Sequence, residues 1–206
     1  MKRPTMPTVF GFDAGAAVLP AGAALTMEVG AETWLSPCGR YRYLLKKPLL
    51  QRCDDAPKVI GWFMLNPSDG TATVKDPTLG RVYEFSEREG ASCVVVGNLF
   101  NLRSPDPTDL LHDRDPLGPE AEKALERFAK ETDMVIVAWG SSLRMTRRSP
   151  PIGGRDAHVL EVLLSHHERV YCLGRNADGQ PKHPLYLAGN TQLDVYATRA
   201  GGIVRP

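Results

Sequence analysis

Five segments of the chain combine residue types that do chemistry. The first is Asn66-Pro67-Ser68-Asp69-Gly70, directly after the apolar run 59–65. Proline removes a backbone donor and holds the preceding residue extended. The Asn66 amide, the Ser68 hydroxyl and the Asp69 carboxylate can then orient a water or bind a polar ligand edge. The same residues also suit a turn closed by Asx-type hydrogen bonds. The second is Asn98, after the apolar run 93–96. Its amide offers two donor hydrogens and an acceptor, so it either reads a flat polar edge such as a nucleobase or is a satisfied buried group. Arg103 follows, able to hold an anion or to pair with Asp106 or Asp109. The third is Trp139-Gly140, closing the run 134–138. The indole is either a stacking face or a core side chain, and the glycine admits close backbone approach. The fourth is His183, set between Pro181 and Pro184 in a polar loop. It is the histidine best placed to donate a hydrogen bond or exchange a proton near neutral pH. His158, His166 and His167 belong to a helical stretch and His112 to a loop. The fifth is 140–154, which carries Arg144, Arg147 and Arg148 and no acid, with Arg155 next. A patternless stretch of that length is uncommon in a compact domain. Its arginines suit contact with phosphates or a solvated loop.

The elements that must position these groups are visible in the hydrophobic pattern. The runs 59–65, 93–96, 134–138 and 170–173 lack alternation, as strands covered on both faces do. Helical stretches lie between them. Asp76-Pro77-Thr78 is a capping sequence before a helix to about residue 88. The stretch 119–130 puts Ala121, Ala124, Leu125, Phe128 and Ala129 on one face, and 156–166 does so with Ala157, Leu160 and Leu164. Upstream, 25–29 and 40–45 read as a hairpin. In its second strand Tyr41, Tyr43 and Leu45 alternate with Arg42 and Leu44, the period of a half-buried strand. Residues 1–26 read as an irregular arm. The pattern predicts a single α/β domain over residues 1–206. It should be a three-layer αβα arrangement with a mainly parallel central sheet and an N-terminal antiparallel hairpin at one edge. Ligands of such sheets sit beyond the carboxyl ends of the strands. That rule would gather Asn66, Ser68, Asp69, Asn98, Trp139 and Gly140 at one rim.

Bulk composition narrows the classes. The 206 residues carry a net charge of +1, so any attraction to phosphate must be local. The four cysteines form no CxxC pair, and Cys93 and Cys172 lie in apolar runs where free thiols act as small hydrophobes. The histidines lack metal-ligand spacing, and neither a metal nor a cofactor is expected. No apolar run reaches membrane-spanning length, and Pro4, Pro7 and Asp13 interrupt any secretory core. A cytoplasmic protein without membrane contact is therefore expected. The P-loop, the dinucleotide GxGxxG, HExxH and GxSxG are absent.

The ordered set Met64-Leu65-Asn66-Pro67-Ser68, Asp76-Pro77-Thr78, Asn98-Leu99-Phe100 with Arg103-Ser104, Ala138-Trp139-Gly140 and Pro181-Lys182-His183-Pro184-Leu185-Tyr186-Leu187 resembles an uncharacterised family of bacterial and phage proteins, a domain of unknown function. The likeness covers roughly residues 40 to 190 and implies no activity. Asn66-Pro67, Asn98, Trp139-Gly140 and His183-Pro184 are also similar, in order, to motifs of the uracil-DNA glycosylase superfamily. That resemblance implies an N-glycosidic hydrolase with nucleic acid or a nucleotide as partner. Asn66 or Asp69 would position the water, Asn98 would read the base and His183 would stabilise the departing base. Pro67, Ser68, Asp76, Arg103, Trp139 and Gly140 would shape the substrate site, and Arg144, Arg147 and Arg148 would hold the backbone while the base leaves the stack. The chain departs from that superfamily in lacking an aromatic residue in the first motif and in reading His-Pro-Leu-Tyr in the last. A non-catalytic nucleotide- or nucleic-acid-binding module, or a hydrolase of a small anionic metabolite, would use the same rim.

Overall fold

The computed structural model describes residues 24–28, 31–49, 57–68, 76–141 and 153–204. Asp69, Arg144, Arg147, Arg148, Cys53 and the expected arm up to residue 23 lie outside the described residues.

The four apolar runs are strands: β4 (Val59–Met64), β5 (Cys93–Asn98), β6 (Met134–Val137) and β7 (Arg169–Cys172). They lie in parallel, in the order β5-β4-β6-β7. Cys93 and Cys172 are free and buried within them. On one side β5 adjoins β3 (Arg42–Pro48), followed by β2 (Ala31–Leu35) and β1 (Ala24–Glu28). On the other side β7 adjoins β8 (Asp194–Thr198) and β9 (Gly202–Ile203). The described residues thus form a mixed α/β fold on a nine-stranded sheet.

The expectation of a mainly parallel sheet holds only for the four central strands. Every pairing outside them is antiparallel. The N-terminal edge is a three-stranded meander, not one hairpin, because Ala-Glu-Thr-Trp-Leu also forms a strand. The first strand begins at Ala24, inside the expected arm.

Helices connect the parallel strands. In α1 (Pro77–Arg88) the Asp76 Oδ1 accepts from the backbone N–H groups of Thr78 at 2.8 Å and Leu79 at 3.2 Å. Proline in the first turn has no N–H to lose. A single turn, α2 (Asp109–His112), precedes α3 (Ala121–Glu131), which buries the apolar face its spacing predicts. In α4 (Arg155–His166) the inward residues are Val159, Leu160 and Leu163. Ala157 is exposed, so the buried stripe is rotated from the expected one.

Two apolar clusters form on the sheet. Phe63, Val95, Val135, Val137 and Val170 pack with Phe128 and Leu125 of α3 and Leu163 of α4. Ile60, Trp62, Val94, Val96 and Ile136 pack with Leu79, Val82 and Phe85 of α1. Successive strand residues enter opposite clusters, as the period-2 alternation of side chains requires. Gly61 lets α3 approach: a Cβ there would lie 2.5 Å from Phe128 Cζ.

A bulge changes the alternation in β3. Trp34 pairs with Leu44 and Leu35 with Arg42, leaving Tyr43 with no partner on β2. Tyr43 and Leu44 both join the α3/α4-side cluster, while Leu45 joins the α1 side. One extra residue re-aims what precedes it, so Arg42 turns to the α1 side. The half-buried alternation expected here is not realised, since residues 41 to 45 are all buried.

Numbered by chain order, the parallel strands run 2-1-3-4. The chain leaves β4 through α1 to β5 on one side and returns through α3 to β6 on the other. This reversal makes a crevice at the carboxyl ends of β4 and β6, the place where open α/β sheets bind ligands. Among the described residues no helix is long and apolar enough to cross a membrane.

Candidate functional site

A cavity of about 640 Å³ opens at that crevice. Met64, Leu65, Val96 and Leu79 are the apolar part of its lining nearest the ends of β4 and β5 in the sequence and the start of α1. Volume and character fall in the range of sites for small organic ligands.

The turn after β4 supplies Asn66. Its Nδ2 donates to the carbonyls of Ser104 at 2.9 Å and Pro67 at 3.3 Å. The Ser104 N–H in turn donates to Pro67 O at 3.0 Å. These bonds settle the orientation of the amide and leave Oδ1 as its acceptor at the cavity wall. Ser68 Oγ donates to Asp76 Oδ2 at 2.9 Å, tying this turn to the start of α1. Asp76 therefore serves two purposes, helix cap and partner of Ser68, while lining the cavity.

Asn98 closes β5. Val94 and Val96 face the α1-side cluster, so alternation points Asn98 the same way. It is 4% exposed, and its Nδ2 has no hydrogen-bond partner. A buried donor without a partner costs about 1–3 kcal/mol and calls for an explanation in a native structure.

His183 comes from the other end of the chain. Gly140 N–H donates to Pro181 O, and Lys182 N–H to Gly174 O, each at 3.0 Å. Residues 181–183 are thereby held against the ends of β6 and β7. Gly140 has φ 72°, a conformation that favours glycine. His183 Nδ1 accepts from Leu185 N–H at 3.4 Å, capping a short 3-10 turn at Pro184–Tyr186. Burial lowers the pKa of His183, with the Asp76 carboxylate opposing. The ring is then neutral at pH 7 with its proton on Nε2, because Nδ1 is the acceptor. No described group bonds Nε2.

The structure thus sets Asn66, Ser68, Asp76, Asn98, Trp139, Gly140 and His183 around one cavity. Pro67 is buried within the turn. Trp139 is 1% exposed, donates from Nε1 to Gln180 Oε1 at 2.6 Å and packs edge-on to Tyr196. Its ring is a core element and presents no stacking face. Arg103 lies away from the lining, where Nη1 donates to Gly39 O at 2.9 Å. Among the described residues no group of three or more His, Cys, Asp or Glu could hold a metal ion.

Lys182, Tyr186 and Arg42 are among the lining residues that the sequence reading did not assign to the site. Lys182 and Tyr186 flank His183 in its own motif, which could have suggested them. Tyr186 is 90% exposed at the rim. Arg42 had no signal, because its alternation reads as an outward position. It is 5% exposed. Burial pushes its pKa down to about 10, against the pull of Asp76, so it stays charged at neutral pH.

Fold and cavity together define an α/β protein with a polar pocket at the switch point of its parallel strands. The chain belongs to the family described as Protein of unknown function (DUF1643), whose model matches residues 42–185. That span runs from Arg42 through β7 to the residue after His183-Pro184. No curated protein and no solved structure matches the chain.

Proposed function

We propose that this cavity holds a nucleobase or nucleotide and that the protein hydrolyses its N-glycosidic bond. The observation that carries the reading is Asn98: a buried amide with an orphan donor on the wall of a cavity large enough for such a ligand. A base edge presents acceptors that would satisfy it. Asn66 Oδ1 accepts from a water, orienting it toward the anomeric carbon. As the water oxygen bonds that carbon, the carbon–nitrogen bond breaks and its electron pair leaves with the base. His183 Nε2–H donates to the oxygen or nitrogen on which that charge accumulates. The water's second proton passes to solvent, and the base anion takes one back. The products are the free base and the sugar hydroxyl.

Asp69, next to Ser68 in the sequence, is a second candidate to orient the water. Arg144, Arg147 and Arg148 are candidates to contact a nucleic-acid backbone where the base sits in a strand. The same reading takes the domain as three layers. It is supported by α1 on one apolar cluster and by α3 and α4 on the other.

The test is release of free base from nucleosides, nucleotides and base-modified single- and double-stranded DNA, uracil-containing DNA included. Replacing His183 by Ala should lower kcat/KM by about 10²–10³-fold, the loss seen when one preorganised donor to a developing anion is removed. Asn98→Ala should lower it similarly. No base released from any substrate, or full activity in both variants, rejects the reading.

A further inference from the structure

We propose that Tyr186 is a stacking platform for a base that stays outside the cavity. The ligand is then a single-stranded nucleic acid, with one base in the cavity and its neighbour on the tyrosine; this rests on the nucleobase reading above. Among the described lining residues the aromatic side chains are Trp139 and Tyr186. The indole is packed into the core, bonded to Gln180 and edge-on to Tyr196. Tyr186 is its opposite, 90% exposed, while Ile203, the next most exposed large apolar side chain among the described residues, reaches 53%. A ring with so much of its surface in water stands at the mouth of the cavity and forms little of its wall. A ligand lying wholly inside would leave it uncovered. A flat group joined to that ligand but left outside would cover it.

The main chain that carries the ring is fastened on both sides. His183 Nδ1 accepts from Leu185 N–H at 3.4 Å, and Leu187 N–H donates to Pro184 O at 3.2 Å. Beyond the turn, Arg81 Nη2 donates to Leu187 O at 2.6 Å and Arg88 Nη1 to Gly189 O at 2.8 Å. Both arginines belong to α1 and lie against the Phe85 ring, 4.8 and 5.0 Å from its centroid. An exposed tyrosine on an anchored turn offers a large flat surface and has few torsions left to freeze when something lies on it.

The same turn begins with His183, which lines the cavity. Three residues of chain span at most about 10 Å, so the imidazole and the phenol serve adjoining parts of one ligand. A mononucleotide has a single base and would leave the phenol bare. In a duplex the neighbouring base keeps its own stack and pair. A single strand offers a free base face beside the one that enters the cavity, and aromatic side chains hold such strands by stacking whatever their sequence.

Calorimetric titration of the full chain tests this with short single strands that carry the released base between two ordinary bases. The comparison strands have abasic sugars at the two flanking positions, so every phosphate charge is kept. The strand with flanking bases should bind about tenfold tighter than the abasic-flanked one, the effect of one base stacked on an aromatic side chain. Tyr186→Ala should bring the two strands to equal affinity, and Tyr186→Phe should keep the difference. Equal affinity in the unaltered protein overturns the stacking proposal and leaves the base reading standing. So does a difference that survives Tyr186→Ala, a duplex that binds tighter than its single strand, or a mononucleotide that binds as tightly as the strand with flanking bases. Binding of no strand, nucleotide or nucleoside overturns both.

Discussion

Two asparagines three residues apart meet opposite fates. Asn101 is 2% exposed and faces the α3 side, where its Nδ2 donates to Leu117 O at 2.9 Å. Asn98 is 4% exposed and faces the α1 side, where its Nδ2 meets no acceptor. Two buried arginines stand on the two sides. Arg155, 7% exposed, donates from Nε to Leu99 O at 3.1 Å and pairs with Glu122 on α3. Arg42, of similar burial, lines a cavity. On the α3/α4 side the chain answers Asn101 and Arg155 itself. On the α1 side the Asn98 donor lines the cavity and is left to be answered by something else. Polar groups of the first kind hold the fold together, and the Asn98 donor is the one that the proposed reading puts to use.

The contrast is broken most severely by changes on the closed side. Phe128→Ala deletes a fully buried ring that meets Phe63 edge-on at 5.0 Å between centroids. It should cost about 3–5 kcal/mol, read as a lower midpoint in denaturant titration. Next comes the asparagine pair. Asn101→Ala leaves Leu117 O without its donor and should cost about 1–3 kcal/mol, with ligand binding kept by the folded fraction. Asn98→Ala removes a donor that has no partner, so stability should move by less while binding is lost. Equal destabilisation by the two variants would show that Asn98 is structural and would erase the distinction between the sides. Asp76→Ala removes the α1 cap and should cost about 0.5–2 kcal/mol. Because Asp76 also holds Ser68 and faces Arg42, its loss should weaken ligand binding as well.

The sequence reveals the parts of this contrast that local pattern controls. Unbroken apolar runs mark the parallel strands, and the residues that end them, Asn66, Asn98 and Gly140, stand at the rim because each strand delivers its successor there. Asp76-Pro77-Thr78 marks α1 through capping chemistry alone. Direction of pairing is less visible, since Tyr41–Leu45 and the parallel runs are covered on both faces alike and lose any distinguishing alternation. β2 and β8 hide in mixed polar sequence, Ala-Glu-Thr-Trp-Leu and Asp-Val-Tyr-Ala-Thr, whose neighbours decide their state. Arg42 is hidden for a sharper reason. A single unpaired residue, Tyr43, inverts the facing of everything before it, and no composition records a bulge. Trp139 errs the other way: its position at a strand end suggests a stacking face, but Gln180, 41 positions later, takes its N–H into the core.

The smallest expected effect separates the sides by their histidines. Burial lowers the pKa of His183 at the cavity and of His167 between α3 and α4, where Nε2 lies 3.1 Å from Ala129 O. In the unfolded chain both take a proton near the ordinary value of about 6.5. In the folded chain they resist until lower pH, so protons favour unfolding. Stability should be flat above the ordinary value and decline as pH falls from there toward the depressed folded values. Replacing either histidine by Gln should flatten part of that decline in chemical denaturation measured from pH 7.5 to 5. The two variants should differ in function. His183→Gln should lose base release along with its share of the slope, because the same ring that resists protonation presents Nε2–H to the cavity. His167→Gln should change the slope alone. If base release survives in His183→Gln and fails in His167→Gln, the assignment of roles to the two faces is inverted, and the orphan groups beside α1 are consequences of packing with no part in recognition.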